Sequence, residues 1–165
     1  MKNLIYAVAF TLALPLGIAL LQTSSDPAYA GGILRDAQAP HLVHSGAHPN
    51  NARVPLATHH FEVHVQGNDL SQLYVDVPEG VKVSNRILVT DRSGKKINAN
   101  VSVDNRRVTI AFSQPIPTET TLSVSMKGMN TQSFARRIWL YPISGRSIGM
   151  TANQRIGIAR IQTYR

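Results

Sequence analysis

The chain has 165 residues, 17 Lys and Arg against 9 Asp and Glu, a net charge of +8 and no cysteine. Its length suits one domain. The missing cysteines exclude thiol catalysis, thiolate metal sites and sulfur redox chemistry. The charge is uneven: Lys127, Arg136, Arg137, Arg146, Arg155, Arg160 and Arg165 follow Thr120 with no acid among them.

The first element is a leader. Lys2 supplies one positive charge, and Leu4–Leu21 is apolar apart from Thr11, Pro15 and Gly17. A polar stretch then leads to Ala28-Tyr29-Ala30. A basic start, an apolar run and an A-x-A site are the grammar of a secretory signal peptide, with cleavage expected after Ala30. The apolar run is also near the lower length limit for a membrane anchor, but Pro15 and Gly17 weaken a rigid span. With no cysteine behind the run, a lipid-anchored cysteine is excluded, and no arginine pair precedes it. Residues 1–30 are therefore expected to be removed, leaving Gly31–Arg165 without a membrane span. The periplasm is the expected compartment, with a thylakoid lumen or the medium as alternatives. A secreted domain of this size without disulfides must be held by burial, which its length permits.

Residues 31–58 show no clean period and carry Pro40, Pro49, Pro55 and the pair Asn50-Asn51. They read as an extended arm or long loop, parts of which could lie along the domain as an edge strand. From His59 to Arg165 the chain reads as the domain itself, with a period of two. Phe61, Val63 and Val65 alternate with His60, Glu62 and His64. Strand-like runs recur at Leu73–Val77, Arg86–Thr90, Ile97–Val103, Arg107–Phe112, Thr121–Met126, Arg137–Tyr141 and Ile156–Ile161. Turn clusters at Pro78–Gly80 and Asp91–Gly94 separate them. Asp104-Asn105 can supply the positive φ of a tight hairpin. About eight short strands punctuated this way predict an all-β antiparallel sandwich, immunoglobulin-like in kind. Helix is expected for a turn or two at most, around Ser144–Asn153. The expected core is Phe61, Val63, Val75, Leu88, Val101, Val108, Ile110, Phe112, Leu122, Val124, Trp139 and Ile158.

Chemistry has three candidate locations. All six histidines fall between His41 and His64. His60, Glu62 and His64 would project from one strand face at roughly 6.6–7 Å intervals. His44 and His48 could fold over them from the arm, as could His41. Imidazole is the usual ligand for copper or zinc where thiols are absent, so His60, His64, His44 and His48 form a candidate metal set. The alternative is that they are ordinary strand and loop residues, and no tight zinc spacing is present. Nucleophilic chemistry lacks a G-x-S-x-G elbow, and Glu62, Asp76 and Glu79 read as strand exteriors and a turn. An enzyme is not expected; an uncharacterised hydrolase is the weakest alternative. The third location is the basic C-terminal region, where Arg136, Arg137, Arg155 and Arg160 are the candidate binding residues. Phe134, Trp139, Tyr141 and Tyr164 accompany them, an interleaving that can grip sugar rings or single strands. Alternation nevertheless assigns Trp139 to the core, and export disfavours nucleic acid.

Some of these segments resemble a family. The strand opening His60-Phe61-Glu62-Val63, the run Val108–Phe112 into Pro115-Ile116-Pro117, Tyr141–Gly145 and above all the closing Gly157–Tyr164 are similar to the secreted cyanobacterial proteins grouped as domain of unknown function 2808. The resemblance implies a one-domain exported β protein and brings no catalytic residue or cofactor. The combined expectation is a non-enzymatic cell-envelope protein. Its basic C-terminal sheet would meet lipid phosphate, acidic polysaccharide or an acidic protein. A periplasmic copper or zinc binder is the alternative.

Overall fold

The structure is a computed structural model that describes residues 38–131 and 138–164. The expected leader, residues 31–37 and the candidates Arg136 and Arg137 lie outside the described residues. Ten strands are present: β1 (His41–His48), β2 (Ala57–His64), β3 (Leu70–Asp76), β4 (Val81–Lys82), β5 (Ile87–Asp91), β6 (Ala99–Asp104), β7 (Arg107–Ile116), β8 (Thr121–Thr131), β9 (Ile138–Ser147) and β10 (Gln154–Gln162). They form two five-stranded antiparallel sheets. In the first, β1, β2 and β8 lie side by side, and β8 pairs on its far side with both β4 and β5. In the second the order is β10-β9-β3-β7-β6. Among the described residues no helix is long and apolar enough to cross a membrane.

The alternation read from the sequence is the physical origin of this sandwich. In β2, Ala57, His59, Phe61 and Val63 turn inward while Thr58, His60, Glu62 and His64 stay half-exposed. In β8, Leu122, Val124 and Met126 do the same. Their inner faces meet Leu73 and Val75 of β3, Val108 and Ile110 of β7, and Trp139, Tyr141 and Ile143 of β9 in one core. Burial of alternate side chains on two facing sheets is what makes a sandwich stable, each fully buried aliphatic contributing about 1.5–3 kcal/mol. The β6–β7 hairpin turns at Asn105, whose φ is 50°, as the Asp104-Asn105 pair leads one to expect.

Several expectations need correction. The described residues hold ten strands rather than about eight, because β1 and the two-residue β4 carry no readable period. Within residues 31–58, where the sequence left room for an edge strand, His41–His48 is one, paired with β2. The expected turn of helix around Ser144–Asn153 is instead the end of β9, a turn and the start of β10. Ile158 is not core but 43% exposed, and Ile156, Ala159 and Ile161 are buried in its place. The cause is a bulge between Arg155 and Gly157, which shifts the inward phase of β10. Leu88 is half-buried while Val89 points inward, and Val101 and Phe112 are half-buried against the core.

One flank of the sandwich is sealed by β1 and β10. The Ser45 hydroxyl donates to the Arg160 carbonyl at 2.9 Å. Leu42 lies over Gly157 so closely that a Cβ there would sit 2.9 Å from Leu42 Cδ1. On the other flank the chain crosses between sheets. Ile97 N–H donates to Val89 C=O in the first sheet, and Asn98 C=O accepts from Ser113 N–H in the second.

Candidate functional site

The outer face of β9 and β10 is the first candidate. Alternation in β9 sends Trp139, Tyr141 and Ile143 inward and Ile138, Leu140, Pro142, Ser144 and Arg146 outward. Across the ladder, Arg155 stands opposite Ser144, Ile158 opposite Pro142, Arg160 opposite Leu140 and Gln162 opposite Ile138. The register thus brings Arg155 and Arg160 to one face, with an aliphatic strip between and beside them. In that strip Ile138 is 40%, Leu140 49% and Ile158 43% exposed. Neither strand contains an acid. Among the described residues neither Arg155 nor Arg160 has a side-chain hydrogen bond or ion pair. Arg146, on the same face, is held by Asn153 Oδ1 at 3.1 Å and lies over the Tyr74 ring, 5.9 Å from its centre. On neighbouring β3, Asp76 is already engaged by Arg107 at 2.8 Å. Of the aromatic residues noted in the sequence, Trp139 and Tyr141 do not belong to this face, and Phe134 lies outside the described residues. Trp139 and Tyr141 are buried, so what accompanies the arginines is aliphatic.

The outer face of β1 and β2 is the second. His60, Glu62 and His64 do share the outer face of β2. The other histidines reach it from β1 alongside, not from an arm folded over the top. His41 and His44 are three residues apart and would face opposite ways on a regular strand. A bulge between Leu42 and His44 accommodates Val43 as an extra residue and turns both outward. His48 follows in phase and is exposed. Five of the six histidines therefore lie on one face, four of them in two separate pairs. His41 stands opposite His64, with ring centres 5.4 Å apart. His44 leans on His60, with ring centres 5.6 Å apart and planes 34° from parallel. His60 and His64 thus each meet a different β1 residue. His64 is further tied by its Nδ1 to Thr121 Oγ1 at 3.1 Å and by its Nε2 to the Glu119 carboxylate at 3.6 Å. Burial first, and then His44, hold the His60 imidazole below its usual pKa, with Glu62 opposing and His48 adding to the effect. Among the described residues no group of three or more His, Asp or Glu is placed to hold a metal ion.

The sixth histidine is the residue that sequence reasoning missed. His59 is 1% exposed and lies between the sheets, where its Nδ1 and the Tyr141 hydroxyl share a hydrogen bond of 2.6 Å. The two rings meet edge to face, 5.8 Å apart. Burial, with a smaller contribution from His60, pushes the His59 pKa down from 6.5 to about 4. Burial also pushes the Tyr141 hydroxyl well up, so it stays protonated. The pair is a neutral polar tie across the sandwich. A signal was available: His59 is in phase with Phe61 and Val63, and Tyr141 with Trp139.

A groove of about 580 Å³ opens where the chain crosses between sheets, lined by Asp91, Lys95, Lys96, Asn98 and Pro115 among others. Its carboxylate is occupied: Asp91 Oδ1 accepts from the Ser93 hydroxyl at 2.6 Å and from two backbone N–H groups. The Ser93 bond is the main reason its pKa is held down.

Comparison with known proteins places this architecture. The model of the family described as protein of unknown function DUF2808 matches residues 33–135. No curated protein matches the chain. Among solved structures, the N-terminal domain of the Streptococcus gordonii adhesin Sgo0707 superposes with a TM-score of 0.54 at 10% identity. That alignment covers 77% of this chain and 33% of that one. The collagen-binding domain from a Staphylococcus aureus adhesin gives 0.46 at 8% identity, covering 77% and 99%. At such identities the likeness concerns the fold alone, an immunoglobulin-like sandwich. With more than half its length matched, the chain belongs to the DUF2808 family.

Proposed function

We propose that this member of the DUF2808 family is an exported, non-enzymatic binding domain of the cell envelope that docks an acidic protein through the outer face of β9 and β10. The observation that carries the reading is the pairing of Arg155 and Arg160 with the exposed strip of Ile138, Leu140 and Ile158, on two strands without an acid. Guanidinium groups without a partner among the described residues, beside a contiguous apolar surface, suit a partner that offers both carboxylates and apolar side chains. A polysaccharide would satisfy the charge and leave the aliphatic strip uncovered. The leader-like residues 1–30 support export, and the charge excess of the C-terminal region supports an anionic partner.

The test is capture of envelope proteins from the source cells by the wild-type chain and by an Arg155→Glu/Arg160→Glu variant, at low and high salt. A specific acidic protein should be retained at low salt by the wild type and be lost with charge reversal. A Leu140→Ser/Ile158→Ser variant should also lose it, because the apolar contact is part of the site. Retention by the charge-reversed variant refutes the reading. So does binding to anionic vesicles with no protein captured, which transfers the face to lipid phosphate.

A further inference from the structure

The β1–β2 face carries a separate feature. His44 and His60 lean together across Gly46, where the missing side chain leaves them room. A Cβ on Gly46 would lie 3.1 Å from His60 Cε1, 3.2 Å from His60 Nε2 and 3.8 Å from His44 Nε2. Both Nε2 atoms therefore lie within 3.8 Å of one point above the β1 backbone. Among the described residues no hydrogen bond engages either imidazole, whereas both nitrogens of His64 are engaged and His41 Nδ1 lies 3.2 Å from the Ala39 carbonyl. Two imidazoles that share one ion at the usual metal–nitrogen distance of about 2.0–2.1 Å have ring centres roughly 4.5–5.6 Å apart, for bond angles from square to trigonal. The His44–His60 separation of 5.6 Å is at the upper end of that range. Glu62 stands opposite His44 on the same face and adds negative charge beside the pair.

We propose that His44 and His60 form a two-imidazole seat for a divalent transition-metal ion, copper(II) in preference to zinc(II), on the outer face of β1 and β2. The ion completes its coordination with water, since the described residues supply no third ligand in place. Copper(II) leads because imidazole affinity rises along the divalent series to copper, and a square arrangement accepts two protein nitrogens with open positions. Binding would bridge β1 to β2, so it clamps the edge strand of the first sheet. The inference stands apart from the β9–β10 reading, since none of that face's residues take part.

The test is calorimetric titration of the full chain, in mild detergent, with copper(II), zinc(II) and magnesium chloride, followed by electron paramagnetic resonance of the copper form. One equivalent of copper(II) should bind, zinc(II) more weakly and magnesium not at all, with a spectrum showing nitrogen coupling from two imidazoles. Loss of an outer group that merely orients a ligand costs about 10–100-fold in affinity, so losing a ligand itself through His44→Ala or His60→Gln should cost at least about tenfold. A His41→Ala/His64→Ala variant should bind as the wild type does. Affinity unchanged in both His44→Ala and His60→Gln overturns the proposal, as does loss confined to the His41/His64 variant. If His60→Gln disturbs the strand, the exposed His44→Ala decides alone, with Trp139 fluorescence as the check on folding.

Discussion

Acid should weaken this fold through His59 in a calculable way. In the unfolded chain its imidazole titrates at 6.5, and in the core at about 4. Between those values the unfolded state holds a proton that the folded state refuses, so stability falls with falling pH. The contribution is fully present above the unfolded pKa, declines as pH drops through 6.5 and levels off below the folded value. A shift of one pKa unit is about 1.4 kcal/mol, so the loss is about 2 kcal/mol near pH 5 and about 3 kcal/mol near pH 4. That is a large part of a typical domain's stability of about 5–15 kcal/mol. His60, also shifted down, adds to the slope in the same direction. The assay is urea unfolding at a series of pH values, read by the single tryptophan, Trp139, which is 2% exposed. The comparison is a His59→Gln variant, which cannot titrate but can still accept from the Tyr141 hydroxyl. The wild type should lose about 2 kcal/mol more than the variant on going from about pH 7.5 to about pH 5. Parallel pH profiles for the two proteins would refute the reasoning and assign the acid sensitivity elsewhere.

Two further outcomes follow from packing. Gly145 faces the core, and a Cβ there would lie 2.8 Å from Ile156 Cδ1, 2.9 Å from Leu70 Cδ1 and 3.1 Å from the Gln72 carbonyl oxygen. Because one of these neighbours is backbone, Gly145→Ala should destabilise by about 1–3 kcal/mol in urea unfolding, and a neutral result would show that β9 can shift to make room. Leu42→Ala should remove the contact that seats β1 on Gly157. Hydrogen exchange at the β1 amides should then accelerate while that of β8 is unchanged, and uniform acceleration across both would contradict a flank held by this contact.

How legible each part is depends on how local its cause is. The inward set of β2, β7 and β8 follows from alternation within a few residues, so the sequence alone assigns Phe61, Val63, Val108, Ile110, Leu122 and Val124 to the core, where they are buried. The same alternation puts His60, Glu62 and His64 outward and Trp139 inward. The β6–β7 hairpin at Asn105 is legible because positive φ is a property of the residue at the turn. β1 is not, since its inward side is only Leu42, Ser45 and Ala47, too short and too broken by the bulge to show a period.

What the amino-acid order determined by itself was therefore the class: a cysteine-free all-β chain with a leader-like start and a basic end. Only tertiary structure decided which residues meet. The bulge at Val43 turns His41 and His44 to the same face, and the one between Arg155 and Gly157 exchanges Ile158 for Ile156 and Ala159 in the core. A one-residue insertion reverses every side chain beyond it, and nothing in the local pattern announces where it falls. Likewise, His59 became the tie to Tyr141, and Arg160 came to stand opposite Leu140, because strands far apart in the chain were brought into register. Pairing of that kind is set by the burial of the whole core, which no short window of sequence contains.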